Sequence, residues 1–153
     1  MTPEESRLLR VGASVVAAGL RGDRIGQAEL LGGFRDEPAR LAEAFAYVAV
    51  AAATIDATVS GRNLSQVLDD LSGVEAGLVS GSPIRWADAV DLAIGISRGN
   101  QVLIAEASAH MDVPTAINST YSLALGVLAD LERRTDRPSA DWADALTEGS
   151  TAS

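Results

Sequence analysis

The sequence predicts an all-α protein, a compact bundle of about seven or eight helices around one long buried helix at about 37–60. Three observations support this fold class. Residues 44–55, AFAYVAVAAATI, carry no charge and are apolar nearly all round, which is typical of a helix at the centre of a bundle. Apolar residues make up 47% of the chain and aromatic residues only 4%, so small and aliphatic side chains must build the core. Helix start signals recur along the chain, and no pair of strand-like segments accompanies them.

The first four helices are expected from their capping residues. Thr2 and Glu5 form a capping box before the first helix, and Asp23 can cap the second. Asp36, followed closely by a proline, opens the central helix. Asn63 then begins a short helix whose leucines and valine repeat at helical spacing. The expected spans are about 3–20, 23–34, 37–60 and 64–71.

Four further helices are expected in the second half of the chain. The segment VEAGLVSGS is punctuated by glycines and should form a loose helical turn or an ordered loop. Pro83 then starts a helix that buries Trp86. The same helix should expose Asp88 and Asp91, and Asp112 caps the last long helix. The expected spans are about 83–98, 101–111, 112–134 and 139–146.

Length and charge limit the organisation and the partners. The 153 residues suffice for one domain, expected at 1–148, with a disordered tail at 149–153. The net charge of −9 argues against nucleic acid as a partner, because phosphate binding depends on clustered cations. It also argues against an anionic membrane surface. An acidic surface favours solubility or a basic protein partner.

Missing residue types exclude several chemistries. There is no cysteine, which removes disulfides, thiolate nucleophiles and zinc–sulfur sites. All twelve basic residues are arginine, which removes Schiff-base chemistry and the lysine of a phosphate-binding loop. Scarce lysine with abundant alanine, arginine and glycine is typical of a GC-rich bacterial genome. The start, MTPEESRLLR, does not resemble a signal peptide, and no apolar run reaches about 18 residues, so we expect a cytoplasmic protein.

One group of residues in the sequence has the spacing of a metal site. Glu106 and His110 stand four residues apart on one helix face, with Asp112 close behind. However, His110 is the only histidine, whereas di-metal bundles take Glu-x-x-His pairs from two helices. An exposed Glu–His pair near a helix C-terminus explains the spacing better. We therefore expect neither a metal nor a cofactor.

Asp56 and Tyr47 on the central helix suggest a second hypothesis. Asp56 is the acid nearest the apolar centre, and a carboxyl group held in an apolar site has a raised pKa and can act as an acid or base. Pairing with an arginine, or a place near the solvent end of the helix, is the more ordinary interpretation. A pocket lined by Tyr47, Asp56, Trp86 and Tyr121 would make the protein a small-molecule-binding bundle.

The function that the sequence favours is a non-enzymatic protein–protein interaction or assembly role. The protein would self-associate, as a homodimer or higher oligomer, through apolar helix faces with charged rims. The first candidates for contact surfaces are Trp86, Trp142 and the seam of Gly12 and Gly19, two small residues a heptad apart. The alternatives are the small-molecule-binding bundle and an acidic neutraliser of a basic partner. An enzyme that uses Asp56, Glu106 or His110 comes last.

Overall fold

The computed structural model of the protein describes residues 2–71 and 77–148. Over these ranges the protein is all-α, with eight compactly packed helices and no strand, which confirms the predicted fold class. The predicted tail and the first residues of the VEAGLVSGS segment lie outside the described residues. The helices are α1 (Pro3–Leu20), α2 (Arg24–Gly32), α3 (Pro38–Ser60), α4 (Leu64–Asp69), α5 (Trp86–Arg98), α6 (Gln101–Ala109), α7 (Val113–Thr135) and α8 (Ser139–Thr147).

The centre of the bundle is α3, as the sequence predicts. Its most extensive contact is with α7, and it also packs against α1 and α5. The rings of Phe45 on α3 and Tyr121 on α7 meet edge to face, with their centroids 5.0 Å apart. Further along both helices, Asp56 and Asp130 lie beside the same guanidinium group. The two helices therefore run in the same direction, and their C-terminal ends, which carry partial negative charge, lie together.

The capping signals are largely confirmed. Thr2 Oγ1 accepts a hydrogen bond from the first turn of α1, and Asn63 and Gln66 form both bonds of a capping box before α4. The predicted cap at Asp36 is wrong, because the N-cap of α3 is Glu37, which makes no side-chain capping bond. Apart from α5, the predicted spans agree with the structure to within about two residues, which is the usual uncertainty of a helix end.

The predicted start of α5 at Pro83 is wrong by three residues, because the helix begins at Trp86. The residues before it belong to a loop, 77–85, that is bonded to α7. The Ser82 carbonyl accepts a hydrogen bond from one α7 side chain at 3.1 Å, and the Arg85 amide donates to another at 2.8 Å. These contacts hold the backbone out of the helix and override the local start signal.

Gly12 allows α1 to approach α3 closely. A Cβ atom added at Gly12 would lie 2.8 Å from the carbonyl oxygen of Ala44. In the last turn of α1, a Cβ atom added at Gly19 would clash with the hydroxyl group of Tyr121 and the amide group of Gln27. Both glycines of the predicted seam therefore serve contacts within the chain.

Replacing Gly12 with alanine should destabilise the protein by about 1–3 kcal/mol, because the added methyl group meets backbone that cannot move without shifting α3. This result opposes helix propensity, which favours alanine by about 1 kcal/mol. The matched control is Gly32→Ala, where no atom lies within 4 Å of the added Cβ. Urea denaturation measures both variants. Equal stability of the two would contradict the close approach at Gly12.

Among the described residues, α3 is the one helix that is long and apolar enough to cross a membrane, with a mean hydropathy of 1.4 over its most apolar window. Half of that window is buried inside the bundle. A helix at the centre of a bundle needs the same length and composition, so its packing against α1, α5 and α7 accounts for its apolar character.

Candidate functional site

Two buried carboxyl groups face each other between the last turns of α3 and α7. Asp56 is fully buried, and Asp130 is nearly so. Arg134 Nε lies 3.3 Å from Asp56 Oδ1 and 3.1 Å from Asp130 Oδ2. Arg62 Nη2 lies 3.7 Å and 3.1 Å from the same two oxygens. With both acids ionised, neither oxygen of Asp56 has a hydrogen-bond partner within the described part of the chain.

The environment of this pair separates the pKa values of its two members. Burial and, after it, the neighbouring Asp130 raise the pKa of Asp56 from 3.8 to about 7, although Arg134 and Arg62 act against the rise. Burial also disfavours ionised Asp130, but its bonds with Asp56 and Arg134 outweigh that effect and lower its pKa. Below about pH 7 the pair therefore holds one proton on Asp56, whose hydroxyl can donate a hydrogen bond to the carboxylate of Asp130.

Arg62 extends this pair into a cluster of three acids and three arginines. Its Nη1 atom lies 2.8 Å from Asp70 at the end of α4, and its Nε atom donates to Ser60 Oγ at 3.1 Å. On the other side, Arg133 Nη2 lies 2.5 Å from Asp130. The cluster links the turn after α3, the end of α4 and the last turns of α7. Because Asp56 is fully buried, its carboxyl group is not accessible to a substrate in this conformation, whereas Asp70 and Arg133 reach the surface.

Asn118 on α7 is a second buried polar anchor, and the sequence analysis did not identify it. Its Oδ1 atom accepts from the amides of Leu78 and Val79 at 2.8 and 2.9 Å. Its Nδ2 atom donates to the carbonyls of Val79 and Ser82 at 2.9 and 3.1 Å. Gly77 packs closely beside it, since a Cβ there would lie 3.0 Å from the Asn118 amide group. Three consecutive polar residues inside an apolar helix, Asn-Ser-Thr at 118–120, were the signal in the sequence.

The candidate metal ligands are engaged elsewhere. His110 Nδ1 lies 2.9 Å from Asp88 Oδ1, whereas Glu106 is exposed. The prediction that Asp88 is exposed is wrong, because it is 8% exposed and also pairs with Arg85 at 2.6 Å. The bonds from Arg85 and His110 lower the pKa of Asp88. Asp112 caps α7. In residues 2–71 and 77–148, no group of three acidic or histidine side chains could hold a metal ion.

Tyr47 lines a groove of about 450 Å³ between α3, α5, α6 and the start of α7. The groove lies over a small apolar cluster, separate from the main core, that includes Leu92 and Met111. The other three residues of the predicted pocket lie elsewhere. Asp56 belongs to the acid cluster, and half-buried Trp86 packs against the main core. Tyr121 is buried there too, with its hydroxyl 3.3 Å from Gln27 Nε2.

The short helix α6 borders this groove and is apolar on almost every side, yet it buries a single residue, Ala107. Leu103 and Ile104 contact α5 at Gly95. A third face remains in solvent. Its apolar residues, Val102, Ala105 and Ala109, form the outward stripe, and Glu106 lies beside them on the same face. Val102 is 68% exposed.

The second tryptophan, Trp142 on α8, is partly buried against the main core. Its Nε1 atom donates to Thr135 Oγ1 at 3.0 Å, and the guanidinium of Arg137 stacks over its ring at 4.6 Å. Trp142 therefore holds α8 on the end of α7, and most of its polar and aromatic surface already has a partner within the chain.

No protein-family model matches this chain, and searches of curated proteins and of solved structures find no match either. Function therefore has to be inferred from the surfaces and side chains described above.

Proposed function

We propose that this protein is a non-enzymatic assembly protein that self-associates through the outward stripe of α6. The supporting observation is that α6 is mostly apolar but packs on only part of its circumference, which leaves Val102, Ala105 and Ala109 in solvent. An apolar stripe at helical spacing on an otherwise acidic surface is typical of a helix that docks against a partner. The small side chains of Ala105 and Ala109 permit close approach.

Charge favours a second copy of this chain as the partner. With a net charge of −9, two copies repel each other over most of their surface. Between Gln101 and Ala109 the only charged residue is Glu106, so two outward stripes that meet bring a single acid from each copy to the interface. Antiparallel pairing of one stripe with its own copy is self-complementary, as a two-fold interface requires. Ile25 is more exposed, at 77%, but Arg24 and Glu29 lie beside it on α2.

The proposed surface differs from the first candidates because the candidate residues already make contacts within the chain. Gly12 and Gly19 contact other parts of the chain, and both tryptophans pack against the main core. A non-enzymatic role is supported by the separation of the candidate acids and base: Asp56 is enclosed, and His110 is paired with Asp88. A cytoplasmic location belongs to the same proposal, because the cysteine-free composition suits a protein that folds without disulfides.

The test is to replace Val102 with aspartate and to measure the oligomeric state by sedimentation equilibrium. We expect the unmodified protein to dimerise. Val102→Asp should weaken the dimer by at least about tenfold, because it buries a charge within the apolar interface. The matched control is Val59→Asp, since Val59 is also an exposed valine, at 49%, but lies at the far end of α3. This control should leave the dimer intact.

Three results would overturn the proposal. The first is a protein that stays monomeric at high concentration. The second is equal weakening of the dimer by the Val102 and Val59 variants. The third is native mass spectrometry that finds one copy of the chain bound to a basic protein, because the acidic surface would then be the binding interface.

A further inference from the structure

The groove beside Tyr47 is lined by polar side chains that make no hydrogen bond within the described part of the chain. Its lining is mostly apolar, but the hydroxyls of Tyr47 and Ser108 and the amide of Gln101 also line it. None of these three side chains makes a hydrogen bond to another described residue. A largely apolar groove with a few convergent polar groups is the usual form of a small-molecule site, and its volume of about 450 Å³ lies in the usual range.

The charge at the mouth of the groove selects among ligands. Glu43 is the one charged residue that lines the groove. Arg40 lies 3.6 Å from Glu43, but it also contacts Glu4 at 3.2 Å. Glu37 lies 3.8 Å from the same guanidinium. Arg40 does not line the groove, and its positive charge is shared among three carboxylates. Glu43 therefore gives the lining a negative charge that Arg40 offsets only in part.

Tyr47 lies within this negative field. Burial raises the pKa of Tyr47, and the charges of Glu5 and Glu43 raise it further. The phenol is therefore neutral at physiological pH, and its ring face can attract a cation. A carboxylate or phosphate in the same place would meet Glu43 with no unpaired arginine in the lining.

We propose that this groove binds a small apolar amine, with the ammonium group at Glu43 and the apolar body between Tyr47 and α6. The site is distinct from the outward stripe, because Ile104 and Ser108 line the groove whereas Val102 faces away from it. The proposal therefore stands or falls independently of self-association.

Three probes of similar shape test the proposal: phenethylamine, phenethyl alcohol and hydrocinnamate. Each is titrated into the labelled full-length protein at neutral pH and fixed ionic strength, and amide shifts are followed by NMR. We expect saturable shifts at groove residues, with the amine binding about tenfold tighter than the carboxylate and the alcohol between them. Glu43→Gln should reduce the affinity for the amine to that for the alcohol, and it should leave the affinity for the alcohol unchanged.

Two variants on α6 locate the site. Ser108→Leu fills the groove and should weaken all three probes, whereas Ala109→Leu adds the same side chain on the outward stripe and should weaken none. The proposal is overturned if the carboxylate binds as tightly as the amine, if Glu43→Gln has no effect, or if the shifts centre outside the groove. Absence of saturable amine binding overturns it as well.

Discussion

Replacement of Asp56 by asparagine is expected to remove a pH dependence of stability near neutral pH. The folded protein keeps a proton on Asp56 up to about pH 7, whereas the ordinary pKa of the group is near 3.8. Between these values unfolding releases a proton, so the free energy of unfolding falls as the pH rises, by up to about 1.4 kcal/mol per pH unit. The contribution of Asp56 is thus fully present at low pH and is lost as the pH passes through about 7.

Asparagine at position 56 reproduces the shape of the protonated acid and cannot ionise. The stability of Asp56→Asn relative to the unmodified protein should therefore increase by about 2–3 kcal/mol between about pH 5 and pH 8. The comparison with the variant subtracts the groups whose pKa is lowered by ion pairs elsewhere, such as Asp88 and Asp144, which act at lower pH.

Urea denaturation at a series of pH values measures the effect. Asp91→Asn, an aspartate exposed on α5, is the matched control and should follow the unmodified protein. Parallel pH profiles for Asp56→Asn and the unmodified protein would show that Asp56 ionises alike in the folded and unfolded states. Such a result would contradict the conclusion that Asp56 and Asp130 share a proton in the folded protein.

Replacement of Asn118 by alanine should be the more damaging change at any pH. It removes the hydrogen-bond partner of two amides and two carbonyl groups in the 77–85 loop. Water can replace only some of these hydrogen bonds. Buried polar groups left unpaired cost about 1–3 kcal/mol each when nothing relaxes. We therefore expect a loss of about 3–4 kcal/mol in the free energy of unfolding.

The matched control is Asn100→Ala, the same substitution at an exposed N-cap where one bond, from the Leu103 amide at 3.2 Å, is lost. That variant should lose about 1 kcal/mol. Hydrogen exchange should also show the amides of Leu78, Val79 and Arg85 losing protection in Asn118→Ala. If the two alanine variants are equally stable and the loop amides stay protected, Asn118 does not anchor the loop.

Local signals in the sequence were sufficient for most helix boundaries. The caps at Thr2 and Asn63 lie next to the helices that they start, so their bonds form within one turn of chain; Asn63 makes both bonds of a capping box, and Thr2 makes one. The apolar composition of 44–55 placed α3 at the centre, because only a buried helix can be apolar all round. The predicted start of α5 at Pro83 was wrong because the loop that contains Pro83 is hydrogen-bonded to α7. A local start signal contains no information about that contact.

The candidate sites depended on residues that the chain brings together from distant positions. The sequence by itself identified Asp56 as an acid beside an apolar stretch, and it placed Tyr47 on the same helix. Only the packing of α3 beside α7 decided that Asp56 would face Asp130 and share Arg62 and Arg134 with it. Likewise, the uncovered face of α6 follows from which neighbours pack on it, since its apolar composition alone is equally suited to burial. Local patterns specify helices through bonds between near residues, whereas burial, pKa and exposed surface depend on what the fold places alongside them.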